Sequence, residues 1–244
     1  MLALLWASLA HAADLPPIWD WSKPHRYRLS AMEVITPPYT IDLADNIETK
    51  MGSYTVTLEV LCAASGEPAG AGGTTVVCSV DSATMSGGAG YPSEQPQLDE
   101  SIAQLESWVR GATVDFVQRN DGVMKRVGEV KPGPNASRIS SYRMAWLNHA
   151  LGGCLTALDV AISVDEDEWR TPNPLGGTLK LRITERSDDS LLFSGQHNDV
   201  AQVSVHFDRK LGAIAQSRVY YAAVGNTMYD HWSREFTSEL LDPR

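Results

Sequence analysis

The chain has 244 residues, with 20 Lys plus Arg against 30 Asp plus Glu, a formal net charge of −10, seven Trp, eight Tyr and three Cys. An acidic chain whose only basic clusters are Lys125-Arg126 and Arg209-Lys210 lacks the positive patch that nucleic acid or an anionic membrane surface requires. Its length allows one large domain or two small ones, with a core that needs no staples.

Met1 to Ala13 is an apolar run that ends in the small-x-small sequence Ala10-His11-Ala12, and the first acid, Asp14, follows directly. This pattern predicts a secretory signal over residues 1–12. The run is shorter than the ~20 residues of a membrane span. No Lys or Arg precedes it, so the alternative is a short buried N-terminal segment. No later segment reaches transmembrane length without charges. The expected location is therefore exported, periplasmic or extracellular.

Residues 14–24 read as an extended lead-in, because its prolines suit neither helix nor sheet ladder. Trp19 and Trp21 face the same side of an extended chain and can clip this arm to the body. From His25 to Ile35 apolar and polar residues alternate, and Pro37-Pro38 is expected to break the chain. Residues 39–43 and 54–61 follow as strands. In the second, Tyr54, Val56, Leu58 and Val60 share one face while Thr55, Thr57 and Glu59 share the other. Such alternation marks a sheet with one buried and one wet face. Residues 74–80 supply the partner strand.

Cys62 ends the first of these runs and Cys78 ends the short run 74–77. The Gly- and Ala-rich stretch between them reads as a flexible hairpin loop. In an oxidising compartment three cysteines predict one bridge and one leftover thiol. A Cys62–Cys78 disulfide is expected, worth ~3 kcal/mol in the chain-entropy treatment. Two buried free thiols on neighbouring strands are the alternative, and Cys154 is expected to be a small buried residue.

Residues 86–96 read as a loop by composition. A helix is predicted over 98–110, with Asp99 capping it, a stripe of Ile102, Leu105, Trp108 and Val109, and Gly111 ending it. Residues 113–118 and 123–130 form a hairpin through Asp121-Gly122. After Lys131 to Ala136, a second helix is predicted over 137–151, capped by Ser137, with Ile139, Tyr142, Trp146 and Ala150 in its stripe. Asp165 to Trp169 reads as an exposed acidic turn. Strands are expected at 178–185, 190–194, 200–207 and 213–224. In the tail, Trp232 and Phe236 are four apart and predict a short docking helix.

Strong catalytic signatures are absent: the chain has no G-x-S-x-G elbow, H-E-x-x-H, P-loop or G-x-G-x-x-G. No catalytic, cofactor-binding or metal-ligating residue is expected. His206 lies in strand parity opposite to Val203, Val205 and Phe207 and reads as a surface histidine. Asp230-His231 is set aside as an acid–base pair because adjacent residues point apart. The run Asp165 to Glu168 lacks the spacing of a calcium loop.

The phrases Asn120-Asp-Gly-Val-Met-Lys-Arg-Val127 and Val164-Asp-Glu-Asp-Glu-Trp169, with the strand–helix–hairpin order, resemble uncharacterised exported β-rich proteins of Gram-negative bacteria. At fold level the chain is also similar to periplasmic lipoprotein carriers, in which helices lie across a curved antiparallel sheet. The resemblance implies no catalytic residue.

The expected fold class is α+β: a large curved antiparallel sheet, or two β lobes, with two covering helices near 98–110 and 137–151. Residues 13–244 are expected to form a single exported domain, with any lobe boundary near 131–136. The expected function is a non-catalytic binding protein that holds a lipid or other hydrophobic ligand between sheet and helices. An envelope assembly protein that binds a protein partner by a strand edge or the Trp19/Trp21 arm is the alternative. A periplasmic hydrolase stands third. No cofactor, nucleic acid or membrane span is expected.

Overall fold

The computed structural model describes residues 20–44, 47–69, 73–118, 124–136, 168–172, 178–197, 201–224 and 231–241. In chain order these form β1 (His25–Ala44), β2 (Ile47–Ala69), β3 (Gly73–Ala89), α1 (Gln95–Val109), β4 (Thr113–Gln118) and β5 (Met124–Lys131). Then come β6 (Glu168–Pro172), β7 (Thr178–Arg186), β8 (Ser190–His197), β9 (Ala201–Asp208), β10 (Ala213–Val224) and β11 (His231–Leu240). Short 3-10 turns precede α1 and follow β5.

One 11-stranded sheet holds them all, in the spatial order β5-β4-β3-β2-β1-β11-β10-β9-β8-β7-β6. Every pairing is antiparallel. Within β1–β5 and within β6–β11 each strand lies beside its neighbour in the chain, and the β1–β11 pairing joins these two meanders at the centre. The sheet is curved and stays open, with β5 and β6 at its edges. The strands before and after 131–136 are therefore two flanks of one sheet.

Alternation sets the two faces. Tyr27, Leu29 and Ala31 of β1 lie level with Val60, Leu58 and Val56 of β2, and all six are buried. Phe193 of β8, Val203 and Val205 of β9, Val219 of β10 and Phe236 of β11 continue this inner face, and residues of both flanks form one apolar cluster. Helix α1 lies on the inner face over β3, with smaller contacts to β1 and β2, through buried Leu98, Ile102 and Val109. Only the expected first helix is seen, so the two-helix cover is not supported; residues 137–151 lie outside the described set.

Four local expectations are corrected. Helix α1 begins at Gln95, ahead of Asp99, with Pro96 in the first turn where a missing N–H costs nothing. Gln95 stands in for a strand partner there: its Nε2 donates to Gly87 O, and its Oε1 accepts from Ala89 N, both at 3.0 Å. Residues 63–69 belong to β2 and Gly73 to β3, because Ala63, Ala64, Pro68 and Ala69 find ladder partners on β3. Among the described residues of this stretch the register shifts at a bulge between Ala64 and Pro68, where Gly66 takes φ +76°; residues 70–72 lie outside the described set. Pro37-Pro38 does not end β1; the register with β2 shifts between Val34 and Tyr39, and the strand continues. The tail is the central strand β11 and not a helix, since a spacing of four fits a two-residue period as well as a helical one.

Candidate functional site

The inward parity of β1 runs Tyr27, Leu29, Ala31, Glu33. The first three suit an apolar face. The fourth is a carboxylate, 2% exposed. Register places Tyr54 of β2 on one side of it and Arg234 of β11 on the other. Tyr54 Oη donates to Glu33 Oε2 at 2.6 Å, and Arg234 Nη2 donates to Glu33 Oε1 at 2.7 Å. A buried carboxylate is tolerated only when paired and hydrogen-bonded. Here each oxygen has its own donor. The Arg234 side chain keeps 22% of its surface accessible, so it is the member of the trio most open to solvent. The trio also straddles β1 and β11, the junction of the two meanders.

Further along the inner face the hydroxyls of Ser217 and Ser238 bond each other across β10 and β11 at 2.7 Å. Tyr27 Oη is buried without a hydrogen-bond partner, and burial pushes its ionisation well above the ordinary phenol range. Beyond it the lead-in docks. Asp20 N donates to Gly212 O at 2.8 Å, and His25 Nε2 lies 2.6 Å from Asp20 O. The Trp21 ring meets His25 edge-on at 5.1 Å and packs against the core. The hydroxyl and backbone N–H of Ser22 hold the exposed Asp20 carboxyl below its usual range.

Between β2–β5 and the end of α1 the interior is tightly packed. The void bounded by Val60, Cys78, Val80, Ala112 and Val114 measures about 10 Å³, room for one water at most. Cys62 and Cys78 stand opposite each other on β2 and β3, both buried, and form a disulfide with Cα atoms 4.0 Å apart. The bridge lies in the body of the ladder, because both strands run on past it.

The outer face is polar. Arg28 pairs with Glu59 (3.1 Å) and Glu239 (3.8 Å), Arg26 with Asp81 (3.1 Å) and Lys131 with Asp115 (2.7 Å). Arg218 makes a two-pronged bond to Glu235 at 2.8 and 3.2 Å. Over β8 to β11 this face holds two adjoining grooves of about 380 and 470 Å³ that share Ser204 and Arg218.

Of the residues singled out from sequence, His206 does face outward, half-buried, in the larger groove. Lys125-Arg126 lies in edge strand β5, and Arg209-Lys210 occupies the β9–β10 turn. The signal, Trp19, Cys154, residues 165–167 and Asp230 lie outside the described residues. Among the described residues no group of three or more His, Cys, Asp or Glu is gathered to hold a metal ion, and no helix is long and apolar enough to cross a membrane. The Glu33 trio was missed in the sequence. Its signal was an acid on the apolar parity of β1, facing a strand that had been read as helix.

A scan against protein-family models finds no match, and a search of curated proteins finds no significant relative.

Proposed function

We propose that the protein is a non-catalytic, exported binding protein that holds a lipid or another hydrophobic ligand against the inner face of its open sheet. One observation carries this reading. The inner face is a continuous apolar bed, and α1 packs on its β1–β3 side, while Phe193, Val203, Val205 and Val219 extend the bed beyond that helix. Ligand sites typically combine such a bed with a few placed polar groups. The Glu33–Arg234–Tyr54 trio supplies them at the centre line. On this reading the ligand lies on the β8–β11 side, where α1 does not already occupy the bed. The bed is closed to solvent as it stands, so uptake requires it to open. The disulfide supports export, since bridges persist in oxidising compartments.

The test is native mass spectrometry of the chain purified from its exported fraction. The expected result is an added mass that organic extraction removes and that a fluorescent long-chain acyl probe replaces. Absence of added mass together with no uptake of the probe overturns the reading.

A further inference from the structure

On the outer face, opposite the proposed lipid bed, we infer a second binding site, one for a neutral glycan chain laid across β8 to β11. The two grooves there adjoin, and their common boundary is Ser204 on the floor and Arg218 on the wall. Register explains the shape. Ser194 of β8, Ser204 of β9, Arg218 of β10 and Thr237 of β11 stand level in one cross-strand row. Small hydroxyl residues at Ser194 and Ser204 leave the floor low. The rows on either side carry longer planar groups: Gln196, Gln202 and Tyr220 line the first groove, and His206 and Gln216 the second.

The chemistry of the lining selects the ligand class. Arg218 is matched by Glu235, so an anion finds no unmatched positive charge on it, while Glu239 shares Arg28 with Glu59 and, as a single exposed carboxylate, does not make a cation site. An apolar ligand would strip water from hydroxyls and amides without replacing their bonds. A polyhydroxyl chain does replace them, because hydroxyl and amide groups both donate and accept. The Tyr220 ring adds an amphipathic platform. Strand spacing sets successive members of the row about 4.8 Å apart, with Arg218 between the Ser204 and Thr237 hydroxyls. The same row continues through Ser30 and Thr57 to Thr84, so the polar track extends past the grooves. The bidentate Glu235 bond holds the dividing wall in place before any ligand arrives.

The test is calorimetric titration of the oxidised chain with chitohexaose, cellohexaose and maltohexaose. We expect at least one to bind with submillimolar affinity. Ser204→Leu, which fills the shared floor, should weaken it by roughly tenfold or more. Gln202→Ala should weaken it as well. Met32→Ser, on the same face outside the grooves, should leave it unchanged. Circular dichroism and the urea midpoint check that each variant folds. The inference is overturned if none of the three sugars binds at millimolar concentration, or if Ser204→Leu and Gln202→Ala, both folded, bind like the parent. Because lipid uptake is read by a different probe on the opposite face, either site can fail without the other.

Discussion

Arg234→Met isolates the buried charge on the inner face. It removes the counter-ion 2.7 Å from Glu33 Oε1 and leaves a carboxylate that is 3% accessible with Tyr54 as its remaining described donor. Removing one member of a buried pair costs ~3–5 kcal/mol. Two features pull the figure to the lower end: Arg234 is one-fifth accessible, and the Tyr54 bond to a charged acceptor retains ~1.5–3 kcal/mol. We expect a loss of about 3 kcal/mol near pH 8. The pH dependence follows from the lost partner. A buried carboxylate without its counter-ion binds a proton more tightly when folded than when unfolded, where the pKa is about 4.3. Between the two values the folded state carries more protons. Stability therefore falls as pH rises through that window and is recovered below it. Urea unfolding followed by tryptophan fluorescence near pH 5 and pH 8 measures both deficits. The deficit should be smaller at the lower pH, and Glu33→Gln, which has no charge to shed, should not show this recovery. A loss under ~1 kcal/mol near pH 8, or equal losses at both pH values, refutes the account of Glu33 as a buried carboxylate held by Arg234.

Three further outcomes follow from packing. Replacing Cys62 and Cys78 together by Ala should lower stability by about 3 kcal/mol, given a sequence separation of 16, and intact mass should show two hydrogens gained on reduction of the parent. Tyr27→Phe removes a buried hydroxyl that has no partner, so the unfolding free energy from urea titration should stay level or rise by up to ~1 kcal/mol. Gly133→Ala would drive a Cβ into the carbonyls of Arg110 and Trp108 at the end of α1, costing ~1–3 kcal/mol, whereas Gly66→Ala meets no atom within 4 Å and bears only the ~1–2 kcal/mol of its left-handed backbone.

The strand alternation was legible because a sheet with one wet face writes its period directly into the residues: Tyr54, Val56, Leu58 and Val60 point inward as their spacing implies. Composition misled where ladder bonds decide. The Gly- and Ala-rich end of β2 has few side chains to advertise a strand, yet the backbone of Pro68 and Ala69 still pairs with β3. Trp232 and Phe236 were ambiguous, as a gap of four satisfies both periods. Glu33 could have been found from parity alone. Its bond to Arg234 could not, because it depends on the β1–β11 register, a pairing between opposite ends of the described chain. The outer hydroxyl row is hidden for the same reason: its members are scattered along the sequence and meet only through cross-strand pairing.

That central pairing also governs how the chain reaches its fold. Every other strand contact joins neighbours along the chain, and such local hairpins close within about 1–10 μs. The β1–β11 ladder must instead close a loop spanning nearly all the described residues, a slow and entropically costly step. During synthesis the β1–β5 meander forms with the free side of β1 uncovered until β11 emerges. A bare inner strand is a template for pairing with another chain. The order of strands thus makes β11 a kinetic checkpoint. A circular permutant opened between β5 and β6, with β11 linked directly to β1, would turn the slowest contact into a hairpin and remove the waiting period.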